Sequence, residues 1–136
     1  MSARPSEGAA RAAALSAMRR AYAPYSNFHV GAALLSRDGR VHVGCNVENA
    51  SFPAGTCAER SATVRAIAEG AREFEKLVIV TDGKAPSPPC GICRQVLSEF
   101  APQLEIESHT TGGAVARWKL SELLPDPFTP QSMDRS

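Results

Sequence analysis

Three cysteines stand at the openings of two segments that read as helices, and a chain that must bring them together has few ways to fold. Cys57 follows Gly55-Thr56 and opens the run Cys57-Ala58-Glu59-Arg60. The other two stand in Pro89-Cys90-Gly91-Ile92-Cys93, one strand and one Pro-rich loop further on. Residues three apart share a helix face, so Cys90 and Cys93 can reach one ion together, and Cys57 can join from the other helix. Helix N-termini carry free N–H donors and partial positive charge. That favours thiolate over thiol and lowers the cost of gathering three anions.

The donor set selects the ion. Soft thiolates suit Zn²⁺, one per chain, and three protein ligands leave the fourth tetrahedral position for water. That is the pattern of a catalytic site, because zinc brings the pKa of such a water to about 7. Three thiolates more than neutralise the ion, and Arg60 and the two helix ends are the candidate counterweights. Glu59 is too close to Cys57 to be a comfortable further ligand on the same face. It can point instead into the cavity beside the open position, take a proton there from a bound water, and give it up again to a reacting group. Alone, a Glu in a first helical turn is an ordinary partner of the helix dipole; between two metal motifs the acid–base reading prevails. The alternative is a closed structural site with Cys45 as fourth ligand. Structural sites usually pair two C-x-x-C knuckles, and this chain has one. Cys45 also ends an apolar strand, where a buried free thiol is ordinary.

Around these motifs the chain alternates helices and strands. Residues 1–5 read as a loose tail. Ser6 is a candidate N-cap for a helix that runs to Tyr22, with Ala10, Ala13, Ala14, Ala17, Met18 and Ala21 on one face and Pro24 as its stop. Phe28 to Leu35 is an apolar strand, Asp38-Gly39 a hairpin turn and Val41 to Cys45 the returning strand. An irregular stretch from Asn46 to Thr56 precedes a helix from about Cys57 to Gly70. Leu77 to Thr81 is a buried strand. A helix from about Cys90 ends before Pro102, and strands follow at Leu104–Ser108 and Ala114–Leu120. A short helix at Ser121–Leu124 and a polar tail from Pro130 close the chain. The order α-β-β-α-β-α-β-β-α predicts a mixed five-stranded sheet with helices on both faces, in one domain spanning residues 1–136.

Composition narrows the function classes. A hydrophobic share of 43% and a charged share of 21% are those of a globular protein. Fifteen Lys and Arg oppose fourteen Asp and Glu, which gives no basic stripe for nucleic acid. No apolar stretch approaches the roughly 20 residues of a membrane span, and no secretory leader is evident. A cytoplasmic protein with four reduced cysteines is expected.

The two metal motifs resemble those of the zinc nucleobase and nucleoside deaminases. The likeness to the small cytidine deaminases extends to Tyr25-Ser26-Asn27-Phe28-His29-Val30-Gly31-Ala32-Ala33-Leu34, to Gly44-Cys45-Asn46-Val47-Glu48-Asn49-Ala50 and to Leu123-Leu124-Pro125-Asp126-Pro127-Phe128. It covers about residues 10–128 in the same order. The resemblance implies a three-layer α-β-α fold and hydrolytic deamination of cytidine and 2′-deoxycytidine. Attack falls at C4, and Glu59 moves a proton to N3 and then to the departing ammonia. It implies that Phe28 packs on the pyrimidine, that Asn46 and Glu48 bond the ribose hydroxyls, and that the Ala58 backbone meets the pyrimidine carbonyl. It also implies that Arg60 and Gln95 support the metal ligands. The family's small members are homotetramers, so Phe128 is expected to reach the base of a neighbouring subunit. His29 departs from the family, which often has Pro or a basic residue there.

Three rival readings follow from the same residues. Deamination of a cytosine-nucleoside antibiotic, as in the blasticidin-type enzymes, shares the metal motifs but differs at Asn46-Val47-Glu48-Asn49. A polynucleotide editor lacks its basic groove here. A zinc-binding module without turnover has no use for Glu59 and a spare coordination position.

Overall fold

Ser6 caps the first helix as its position predicts: its hydroxyl accepts the Ala9 N–H at 3.1 Å, and α1 runs Glu7–Met18. The structure, a computed structural model, describes residues 6–135; the tail expected at residues 1–5 lies outside the described residues. Helix α1 ends earlier than Tyr22 because Tyr22 is drawn into a bridge with Val47, where it exchanges backbone bonds with Asn46 and Glu48 at 3.0 and 2.8 Å.

The strands are β1 (Val30–Ser36), β2 (Val41–Cys45), β3 (Phe74–Thr81), β4 (Glu105–Thr110) and β5 (Val115–Lys119). They form one sheet in the order β2-β1-β3-β4-β5. Only the β3–β4 pair is parallel, so the sheet is mixed as expected. Strand β3 begins at Phe74 rather than Leu77. Phe74 is buried in the core and pairs with Ser36 across a bulge, which outweighs the charge at Glu75 and Lys76. The remaining helices are α2 (Ala58–Ala68), α3 (Gly91–Phe100) and the single turn α4 (Leu120–Leu123). The polar stretch from Pro130 opens with a 3-10 turn, Pro130–Met133.

Period-two alternation along β1 divides the core between two faces of the sheet. Ala33 and Leu35 join Val78, Val80 and the Ala10, Ala14 and Met18 stripe of α1 on one side. Val30, Ala32 and Leu34 join Leu77, Ile79, Ile106, and Ala58, Ala62 and Leu97 of α2 and α3 on the other. Helices therefore cover both faces. Two glycines set how closely they approach. A Cβ at Gly31 would stand 1.9 Å from the Ala14 carbonyl oxygen, and one at Gly44 would stand 2.3 Å from the Ala62 nitrogen and 2.7 Å from the Ala58 oxygen. The first turn of α2 thus lies directly on β2.

This topology builds one end of the sheet for chemistry. Val30, where β1 begins, pairs with Thr81, where β3 ends, and Gly31 pairs with Cys45, where β2 ends. The loops that leave Cys45 and Thr81 lead into the N-termini of α2 and α3.

Candidate active site

Cys57 and Cys90 are the N-cap residues of α2 and α3, both with extended backbone, and Cys93 lies in the first turn of α3. The loop geometry brings the three together. Cys57 Sγ lies 3.6 Å from Cys90 Sγ, Cys90 Sγ lies 3.4 Å from Cys93 Sγ, and all three ligand atoms fall within 4.8 Å of one another. No other such cluster of metal-ligating side chains occurs among the described residues. Cys45, the candidate fourth ligand of a closed site, is not in the cluster. Two thiols at helix N-termini plus one from the first turn fit a tetrahedral ion with three protein ligands.

The electrostatics of the cluster favour anionic sulfur at Cys57. Hydrogen bonds from the Cys93 thiol and then from Arg60 outweigh desolvation and bring its pKa down to about 5. The same contact with Cys57, together with burial, pushes the Cys93 thiol up. Arg60 Nη2 stands 3.7 Å from Cys57 Sγ and 3.4 Å from the Gly55 carbonyl oxygen, so the expected counter-charge is in place.

Glu59 occupies the second position of α2 and is 6% exposed. Burial is the main force raising its pKa to about 7, and the negative charge of Cys57 adds to it. A carboxyl group so poised can both accept and give up a proton near neutral pH. Ala58 beside it is fully buried. The helix is pinned one turn later, where buried Thr63 donates to the Glu59 carbonyl at 2.7 Å.

Of the residues expected around a substrate, Asn46 and Glu48 are held in place by internal bonds. Asn46 uses both ends of its amide on the backbone flanking His29: Nδ2 donates to the Phe28 carbonyl at 2.8 Å, and Oδ1 accepts the Val30 N–H at 2.8 Å. Glu48 accepts the backbone N–H groups of Tyr25 and Ser26 at 2.9 and 3.1 Å, and the Ser26 hydroxyl as well. The Ser26 hydroxyl bond leads the effects that hold its carboxyl below the usual range. Gln95, expected to support the metal ligands, instead spends both ends of its amide on the Phe128 backbone. Phe28 is partly exposed. A pocket of about 350 Å³ is lined by Tyr25, Ser26, Glu48, Asn49, Phe52 and Gly55; neither Phe28 nor the thiols line it. That size suits a small ligand. A larger groove of about 790 Å³ lies at the opposite end of the sheet, between Glu73, Lys76 and Gln103, and holds none of the cluster.

Two positions in the β3–α3 loop escaped the sequence reading. Asp82 binds His29 twice, from its backbone N–H at 3.0 Å and from ring Nδ1 at 2.6 Å. A Cβ on Gly83 would come within 2.9 Å of Phe28 Cε1, so Gly83 gives the ring its room. The only sequence signal was Asp-Gly in a loop, which also marks an ordinary turn.

Comparison with known proteins agrees with this geometry. Residues 6–105 match the cytidine and deoxycytidylate deaminase zinc-binding region. A cytidine deaminase of Halalkalibacterium halodurans is 45% identical over 122 residues, covering 89% of this chain and 92% of that protein. The crystal structure of cytidine deaminase from Burkholderia pseudomallei superposes with a TM-score of 0.87 at 46% identity, covering 91% of this chain and all of the other (100%). That of the Mycobacterium tuberculosis cytidine deaminase gives 0.76 at 40% identity, covering 88% and 94%. With its three-thiol centre, buried glutamate and matching sheet, the chain belongs to the cytidine and deoxycytidylate deaminase family of zinc enzymes.

Proposed function

We propose that this protein hydrolyses cytidine and 2′-deoxycytidine to uridine and 2′-deoxyuridine with release of ammonia, and that Glu59 is its proton carrier. One observation carries the reading: a buried carboxyl with a pKa raised to about 7 stands two residues beyond Cys57, one member of a three-thiol cluster. Cys57, Cys90 and Cys93 would hold the zinc ion. When bound, zinc lowers the pKa of a coordinated water and makes a nucleophile available at neutral pH.

The chain's own residues do the rest. Glu59 takes a proton from the attacking water and delivers it to N3 of the cytosine ring as C4 becomes tetrahedral. It then passes a second proton to the amino group on C4, which leaves as ammonia. Water supplies both protons and the oxygen that C4 retains, so Glu59 ends in its starting state. The Phe28 ring offers a flat apolar face to the base. The Ala58 backbone, at the start of α2, meets the pyrimidine carbonyl. Asn46 retains one N–H and Glu48 retains unused lone pairs for the ribose hydroxyls. Contacts that do not depend on the 2′-hydroxyl alone admit both sugars.

The active sites are shared within a homotetramer, with Phe128 reaching a neighbouring subunit's base. Exposed Tyr25 and Phe52, whose rings meet with centroids 5.8 Å apart, support such an assembly as an adjoining apolar pair in water. The four free cysteines suit the reducing cytoplasm. Among the described residues, no helix is long and apolar enough to cross a membrane.

Incubation of the zinc-loaded protein with cytidine, followed by ultraviolet absorbance and ammonia release, tests the activity. Conversion of cytidine and deoxycytidine supports it; neither being converted at full zinc occupancy refutes it. Sedimentation of the protein with and without Phe128→Ala tests the assembly, which predicts a tetramer for the unaltered chain.

A further inference from the structure

The Phe128 ring is 60% exposed, yet both polar atoms of its backbone are held by one side chain. Gln95 Nε2 donates to the Phe128 carbonyl at 2.8 Å, and the Phe128 N–H donates to Gln95 Oε1 at 3.2 Å. An amide is the neutral side-chain group that can answer a backbone N–H and C=O together. Among the described residues these are the only hydrogen bonds from the rest of the domain to residues 125–128. The preceding residue on α3 secures the approach: Arg94 donates to the Leu123 carbonyl at 3.0 Å and to the Pro89 carbonyl at 2.8 Å. Pro125 and Pro127 fix their own backbone angles and supply no N–H, which leaves the stretch few other ways to be anchored.

We infer that Gln95 is a positioning residue: it sets where the Phe128 ring stands relative to the zinc helix, and through that ring it governs nucleoside binding. The inference rests on the proposed role of Phe128 at the base. Gln95 lies two positions beyond Cys93 on α3, so the clamp ties the ring's backbone to the element that carries two of the three thiols. Packing does not do this work, because most of the ring lies in solvent in the single chain. An exposed ring on a free tail would spend most of its time away from any base, and the lost order would appear as weaker binding.

The test combines Gln95→Leu, Phe128→Ala and the double variant, each zinc-loaded, with kcat and KM for cytidine and hydrogen exchange at the Phe128 amide. Gln95→Leu is expected to raise KM about tenfold while kcat changes less than about threefold, as lost positioning of a binding group requires. The same substitution on top of Phe128→Ala is expected to add nothing, because the ring through which it acts is gone. Zinc content stays at that of the unaltered protein, and the Phe128 amide of Gln95→Leu exchanges about tenfold faster. An equal loss with and without the Phe128 ring, or unchanged exchange at Phe128, overturns the inference. If the unaltered protein fails to convert cytidine, the deaminase reading fails, while the exchange measurement still decides whether the clamp exists.

Discussion

Asn46 spans the segment that carries Phe28 like a strand partner, donating to the Phe28 carbonyl and accepting the Val30 N–H, each at 2.8 Å. The consequence is a division of labour at the substrate wall. Sequence resemblance assigns Asn46 to the sugar, but one N–H and one oxygen lone pair of its amide are spent on shaping the chain that presents the aromatic ring. Asn46→Ala is therefore expected to lower stability by about 1–3 kcal/mol, since it strips partners from two backbone groups. It should also raise KM for cytidine, and urea unfolding with steady-state kinetics measures both. Unchanged stability would show that the two bonds are dispensable.

Arg60 makes a second, separable prediction. Its guanidinium faces Cys57 Sγ at 3.7 Å and helps to hold that sulfur as thiolate. Residues that support metal ligands typically contribute about 10–100-fold in metal affinity. Arg60→Ala should lose zinc to a competing chelator at about that much lower chelator concentration, with the fold retained by circular dichroism. An unchanged zinc affinity would remove Arg60 from the account.

Glu107 supplies a pH dependence away from the active site. It is 3% exposed on β4 and is ringed by Lys76 Nζ at 2.7 Å, Arg117 Nη2 at 3.0 Å and His109 Nε2 at 3.0 Å. Burial opposes its charge, but Lys76 first and then Arg117 and His109 prevail, so its pKa is lowered. A depressed carboxylate pKa stabilises the folded state above the unfolded value of about 4.3, and that stabilisation is lost as pH falls through the folded value. Glu107→Gln should thus melt below the unaltered protein at pH 6, and the gap should close as the pH drops under about 4. A gap that widens on acidification would contradict the assignment.

The element order, the mixed sheet and the metal cluster were legible in the sequence because each rests on local signals. Ser6 caps α1, Asp38-Gly39 turns β1 into β2, and the two cysteine motifs open α2 and α3 as their flanking residues predict. What the sequence hid depends on distant partners. Strict alternation through Leu104-Glu105-Ile106-Glu107 points Glu107 to solvent, whereas Lys76 and Arg117 from neighbouring strands allow it to be buried. Phe28 and His29 read as the start of β1 but are held out of it, one by Asn46 and the other by Asp82. The Gln95 clamp joins residues 33 positions apart, beyond any periodicity.

The central claim is that Glu59 moves the protons of a zinc-dependent deamination. Zinc content and cytidine turnover of Glu59→Gln, measured side by side with the unaltered protein, test it most directly. The account predicts full zinc occupancy, a circular dichroism spectrum unchanged, and a kcat lower by about 10³-fold or more. Near-normal turnover in the zinc-loaded variant would contradict it.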